Sequence, residues 1–208
     1  MTISDTSIRR AKTVHTLSIE TDRLIITVFD EGMAESAHLS SLDEDNRRFM
    51  PDEVFETRED ALQAILHLIA YYGSGNAPLV YPILLKSGQY VGHVGVMPIS
   101  QGWEIGYHVG KCYTRKGYAT EAVRAFLPAV MEHLGLDEVF GICDAGNTAS
   151  RRVLEKCGFL LEFDGKGLLH GEMQHICRYK RIVLRPQRPS AALIRPKDHL
   201  SLAETWKA

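Results

Sequence analysis

Seven residues, Thr114-Arg115-Lys116-Gly117-Tyr118-Ala119-Thr120, stand between a run that reads as a strand ending near Gly110 and the strongest helical pattern in the chain. Behind them Ala119, Ala122, Val123, Phe126, Val130 and Leu134 recur at three- and four-residue intervals, the spacing of one buried helix face. Pro128 falls inside that pattern and is expected to kink the helix. Ahead of them Gly102 to Val109 alternates, with Trp103, Ile105, Tyr107 and Val109 on one face and Glu104, Gly106 and His108 on the other. A carboxylate therefore shares its strand face with little bulk.

A helix start leaves its first N–H groups unpaired and carries about half a positive charge, so such a turn can bind a diphosphate by main chain alone. Small residues at 117 and 119 would let a phosphate approach, and Arg115 and Lys116 add charge beside it. A plain helix start after a strand explains the same residues with no ligand, so the segment by itself leaves both readings open. The chain holds no GxxxxGK[ST], and no GxGxxG follows a strand, so nucleoside-triphosphate and dinucleotide cradles fail their own spacing.

Elsewhere, Leu24 to Val28 reads as a strand, Gly32 to Leu42 as a short helix, and Thr57-Arg58-Glu59-Asp60 as the opening of a helix ended by Gly73, Gly75 and Pro78. Leu79 to Lys86 and Tyr90 to Ile99 flank Ser87-Gly88-Gln89 as a hairpin, followed by a break at Pro98 to Gln101. Glu138 to Asp144 is a strand, Asn147 to Cys157 a short helix, and Phe159 to Phe163 a strand that stops before Gly165-Lys166-Gly167. A last strand runs to about Leu184. Past it the prolines 186, 189 and 196 mark an extension in which Asp198 to Lys207 could form one more helix. The length, 208 residues, suits one domain. The expected layout is an arm over 1–16, a domain over 17–184 and an extension over 185–208.

No apolar run approaches the roughly 18 residues of a membrane span, and the first 16 residues lack the apolar core of a secretion signal. We expect a cytoplasmic protein with no membrane partner. Residues 17–183 carry 16 basic and 23 acidic side chains, which disfavours a nucleic-acid surface. The four cysteines form no CxxC pair, and His170 with His175 lacks the HExxH pattern, so no metal is expected.

Three blocks, Gly102-Trp103-Glu104-Ile105-Gly106-Tyr107, Arg115-Lys116-Gly117-Tyr118-Ala119-Thr120-Glu121-Ala122 and Asn147 through Phe159, are together similar to the GNAT superfamily, in its order and spacing. The chain most resembles the branch that acetylates ribosomal-protein N-termini. The resemblance covers roughly residues 17–184. It implies an α+β fold: a mixed, mostly antiparallel sheet of about six or seven strands, helices on both faces, and a splay between two parallel strands. It also implies acetyl-CoA as co-substrate, its pyrophosphate on the backbone of Arg115, Lys116, Gly117, Tyr118, Ala119 and Thr120. His108 and Val109 would offer main-chain groups to the pantetheine arm, and Asn147 would hold that arm from the other side. Thr114 stands where the family usually has Gln or Arg.

Within this resemblance, Glu104 is the candidate base for an amine that must lose a proton before attack. The plain alternative is a solvated strand glutamate. Many members carry a tyrosine seven residues after the motif asparagine, but here that position is Leu154. Ser150 instead resembles the serine of the ribosomal-protein branch and is the candidate acid toward the leaving thiolate, its alternative being a capping serine. A main-chain N–H near Val109 would bind the acyl oxygen. A covalent route through Cys143 or Cys112 is the rival mechanism. The expected activity is acetyl transfer to a primary amine, a protein N-terminus or a small molecule, with a non-enzymatic acyl-CoA sensor as the alternative. The extension reads either as a segment that docks on a second subunit, giving a homodimer, or as a free end, and the sequence leaves both open.

Overall fold

One sheet of eight strands, in the order β1-β2-β3-β4-β5-β6-β8-β7, runs through the computed structural model. Residues 17–183 are described, except 73, 75 and 76. The expectations for the arm 1–16, for Gly73 and Gly75, and for the extension 185–208 with its short helix lie outside the described residues. The strands are β1 (Ile19–Glu20), β2 (Leu24–Ile26), β3 (Leu79–Leu85), β4 (Tyr90–Ile99), β5 (Gly102–Val109), β6 (Glu138–Asp144), β7 (Leu160–Leu169) and β8 (Glu172–Ile182). The helices are α1 (Ala34–Ser41), α2 (Glu44–Phe49), α3 (Arg58–Tyr71), α4 (Tyr118–Leu134) and α5 (Thr148–Lys156). Every neighbouring pair is antiparallel except β5 and β6. Eight strands replace the six or seven expected, because the two-residue β1 is too short to leave a periodic signal.

Alternation along β3, β4 and β5 sorts the helices onto two faces. Tyr81, Val94, Val96 and Ile105 point to α4 and α5, where Phe126 meets the Tyr81 ring at 5.6 Å between centroids and Leu154 sits by Ile105. On the other face Ala37 of α1 and Ala64, Ile65 and Leu68 of α3 enclose a small cavity with Val80, Tyr90, His93 and Met97. Thr57 starts α3 with a reciprocal cap: its hydroxyl takes the Asp60 N–H, and the Asp60 carboxylate takes the Thr57 N–H. The predicted face of α4 is buried at Ala122, Val123, Phe126 and Val130, and the helix continues unbroken through Pro128.

Gly141 of β6 lies under α5, and a Cβ there would stand 2.5 Å from Leu154 Cδ2. Gly141→Val should therefore lower stability by about 1–3 kcal/mol through overpacking, checked by urea unfolding of both proteins.

Three departures from the sequence reading matter for the site. The break expected at Pro98 to Gln101 is a two-residue connection, since Pro98 still pairs with Trp103 and Ile99 with Gly102. After α1 come two elements that periodicity did not reveal, α2, capped by Asp43, and a 3₁₀ turn at Pro51–Glu53. The strand expected to stop at Phe163 instead runs to Leu169, and the chain reverses at His170 and Gly171, with φ of 52° and 77°. Two consecutive positive φ values make the mirror-image turn that matches strand twist. The hairpin tip reaches the segment after α2: His170 stands 2.8 Å from Asp52 Oδ2 and 3.0 Å from the Phe49 carbonyl.

Candidate active site

Strands β5 and β6 share a single registered pair, Glu104 with Phe140, and diverge beyond it. In an unbroken parallel ladder the Ile142 N–H would bond β5 backbone. Here it donates instead to Glu104 Oε1, at 3.2 Å. A side chain thus replaces the rung that the splay removes. Burial pushes the Glu104 carboxyl up to about 7, only partly offset by the Ile142 N–H. A solvated strand glutamate, the plain alternative, would have kept its ordinary value. His108 and Val109 follow on β5, past the last pairing with β6, so the main-chain edge that faces β6 there has no ladder partner among the described residues.

From the opposite face of β5, Tyr107 reaches α5. Its hydroxyl donates to the Ser150 carbonyl at 3.0 Å and lies 2.9 Å from Ser150 Oγ. Burial pushes the tyrosine hydroxyl well above its ordinary pKa, so it stays protonated. Ser150 is not the cap of α5. That role falls to Asn147, whose Oδ1 accepts the Ser150 N–H at 3.0 Å, leaving its Nδ2 without a partner among the described residues. Leu154 is buried in the core. Cys143 is buried too, and burial pushes its thiol up to about 11, which leaves it a poor nucleophile at neutral pH.

At the far end of β5 the chain passes through a short 3₁₀ turn, Lys111–Tyr113, into the glycine loop. Gly117, at φ 83°, precedes α4, and no side chain caps the helix start. Arg115 also takes positive φ, 61°, so two successive bends aim the loop. The Thr114 hydroxyl turns back to the Lys111 carbonyl at 2.9 Å. Beneath the loop lies a residue that sequence spacing did not single out. Arg23 donates to the Lys116 carbonyl at 2.9 Å and to Glu121 Oε2 at 2.6 Å, and its guanidinium lies 4.7 Å from the Tyr118 ring centroid. Ninety-three residues separate Arg23 from Lys116, so no local pattern could reveal the pairing. The open cleft beside Gly117 and Thr120 is lined by Arg23, Arg124 and Lys156 and by the carboxylates of Asp22 and Glu121, the latter paired with Arg23. A glycine start without a cap, beside an excess of cations, fits the diphosphate of acetyl-CoA. Those cations and the loop backbone would hold it, and the cofactor would supply the activated acetyl group.

Glu104 thus lies on one face of β5, at its pairing with β6, Ser150 meets Tyr107 on the other face, and residues 115–120 lead from the far end of β5 into α4. Among the described residues no group of three or more His, Cys, Asp or Glu is placed to hold a metal ion, and no helix is long and apolar enough to cross a membrane.

Comparison with known proteins identifies the family and the fold. The acetyltransferase (GNAT) domain family matches residues 23–160. YnaD of Bacillus subtilis, named an uncharacterized N-acetyltransferase, is 28% identical over 149 residues, covering 70% of this chain and 84% of YnaD. A GNAT-family acetyltransferase from Bacillus anthracis superposes with a TM-score of 0.68 at 27% identity, over 80% of this chain and 98% of its own. RimL, a ribosomal L7/L12 α-N-protein acetyltransferase solved with coenzyme A, shares the fold with a TM-score of 0.68 at 20% identity, over 80% of this chain and 98% of RimL. The chain belongs to the GNAT acetyltransferase family, whose members move an acetyl group from acetyl-CoA to an amine.

Proposed function

We propose that this protein transfers the acetyl group of acetyl-CoA directly to a primary amine, within a complex that holds both substrates. The acceptor is a protein N-terminus or a small-molecule amine; RimL's name places a ribosomal N-terminus among acceptors used on this fold. The observation that carries the reading is Glu104, a half-buried carboxylate at the mouth of the splay that holds the Ile142 N–H and has a pKa of about 7. A base works best when its pKa lies near the working pH, because it is then often ionised yet still basic enough to take a proton. Residues 115–120 and Asn147 hold the cofactor, with His108 and Val109 presenting main chain to its arm. Glu104 takes the ammonium proton directly or through one water. The amine attacks the thioester carbonyl, whose oxygen is received by an N–H near Val109. Ser150 then protonates the departing thiolate.

Purified protein offered acetyl-CoA with a panel of peptides and polyamines should release free thiol in step with acetylated product. Cofactor binding without release toward any acceptor would favour the acyl-CoA sensor. The sensor gives no account of Glu104, since a carboxylate kept out of water costs stability that mere binding does not require.

Tyr107 supports this scheme by holding Ser150. Tyr107→Phe removes the hydroxyl but not the ring, so kcat should fall about tenfold, the worth of one hydrogen bond. Affinity for CoA should stay within twofold, as read by calorimetry. An unchanged kcat would remove Ser150 from the proton path.

A further inference from the structure

The face of the sheet turned toward α1 to α3 carries a cluster that the scheme above does not use. Two imidazoles stand side by side there, His93 on β4 and His108 on β5, in register and 5.5 Å apart between ring centroids. His93 is engaged at both ends: Nε2 lies 2.8 Å from Glu53 Oε2, and Nδ1 lies 3.4 Å from the Tyr90 hydroxyl. Glu53 sits in the 3₁₀ turn after α2, with its Oε2 shut off from solvent. Burial works to raise its carboxyl, but the imidazoles of His93, His108 and His170 outweigh that effect and hold it below the usual range, so it stays ionised. His108 differs from its neighbour. Its ring makes no hydrogen bond to any described residue. Burial, with His93 beside it, pushes it down to about 4 despite the pull of Glu53 and Asp43, so it is a neutral ring able to accept as well as donate.

The floor next to this ring carries no side chain of its own, since Gly106 of β5 faces Gly95 of β4, and it is covered by the flexible end of Met97, whose Cε would stand 3.1 Å from a Cβ at Gly106. Glu104 lies two residues to one side of Gly106 and His108 two residues to the other, about 7 Å each way at strand spacing. An amine that moves the Met97 methyl aside to sit over Gly106 has the candidate base at one hand and an unengaged imidazole at the other. Behind that imidazole stands the anionic Glu53.

Given the acetyl-transfer reading above, we infer that His108, beside the His93–Glu53 pair, is an acceptor-binding residue, and that it selects amines with a second hydrogen-bond donor about four carbons from the amine that reacts. A hydroxyl or ammonium there donates to the neutral ring and is favoured by the carboxylate behind it. A methyl group makes no such bond, and a carboxylate is repelled.

Four amines of equal chain length test this: putrescine, 4-aminobutan-1-ol, butylamine and 4-aminobutanoate. With the wild-type protein KM should be about tenfold lower for the first two than for butylamine, the worth of one such bond, and 4-aminobutanoate should be the poorest. His108→Leu should level the series, bringing KM for putrescine and 4-aminobutan-1-ol up to that for butylamine. His108→Asn, which keeps a polar head, should retain part of the preference, and it serves the same test should leucine unbalance the cluster. Equal KM values in the wild type, a preference for the carboxylate, or a preference that survives His108→Leu would overturn the inference. So would silence toward all four while a peptide N-terminus is acetylated. Silence toward every acceptor would strike at the acetyl-transfer reading instead.

Discussion

Glu104→Gln is expected to slow acetyl transfer by about 10²–10⁴-fold, the usual worth of a positioned base, while making the protein more stable at neutral pH. The two effects have one origin. In the folded chain the carboxyl titrates near 7, above its ordinary 4.5, because burial disfavours the charge. The folded state therefore keeps its proton over a range where the unfolded state has lost it, so the contribution of this group to stability is fullest below pH 4.5. It declines as pH rises toward 7 and is flat beyond. At 1.36 kcal/mol per pH unit the loss approaches about 3 kcal/mol. Glutamine keeps an oxygen for the Ile142 N–H and carries no charge to bury, so the variant should recover much of that loss and melt several degrees higher at pH 8. At pH 4 the two proteins should melt together. The wild-type rate should rise with pH through about 7 and level off, following ionisation of the base. A variant that keeps its rate, or a wild-type profile flat from pH 6 to 8, would take Glu104 out of the mechanism.

Gly117→Val should abolish useful cofactor binding, raising the Kd for acetyl-CoA more than a hundredfold. Gly117 sits at φ 83°, a conformation that costs a residue with a side chain about 1–2 kcal/mol. Within the protein there is room, since the nearest atom to an added Cβ is Arg23 Nη2 at 3.5 Å. The fold should therefore survive, while the branched side chain stands over the N–H groups that would meet the diphosphate. Losing two hydrogen bonds to a charged group, at about 1.5–3 kcal/mol each, accounts for the expected magnitude. Gly117→Ala separates the terms, keeping the backbone strain and blocking less. Calorimetry with CoA reads binding, and circular dichroism confirms that α4 persists. An unchanged Kd in the valine variant would move the diphosphate away from this loop.

Most of the framework was legible in sequence because it rests on period. The alternation of β5 and the buried face of α4 each follow one face of one element, and the structure shows both, with Tyr107 meeting α5 and His108 turned to His93. The gaps came where period fails or where partners are distant. Gly165-Lys166-Gly167 reads as a break, yet β7 runs straight through it. These glycines make room for neighbours, since a Cβ at Gly165 would lie 2.9 Å from Phe163 Cζ and one at Gly167 would collide with Ile176. The turn they resemble sits instead at His170 and Gly171. In the site, Glu104 and Ser150 could be named from the motifs, but not their states. Burial that shifts a carboxyl, the pairing of Tyr107 with Ser150, and Arg23 beneath the loop all depend on chain segments that meet only after folding. Glu53 was invisible for the same reason, lying in a three-residue turn that no periodic signal marks.

The lone pairing of Glu104 with Phe140 divides the sheet into a five-strand panel and a three-strand panel joined by one hinge rung. A molecule lying along the open seam would act as a zipper between the panels. Amide protons on β5 beyond Glu104 that face the seam should then exchange more slowly once CoA is added, as the bound molecule supplies the partners that β6 does not.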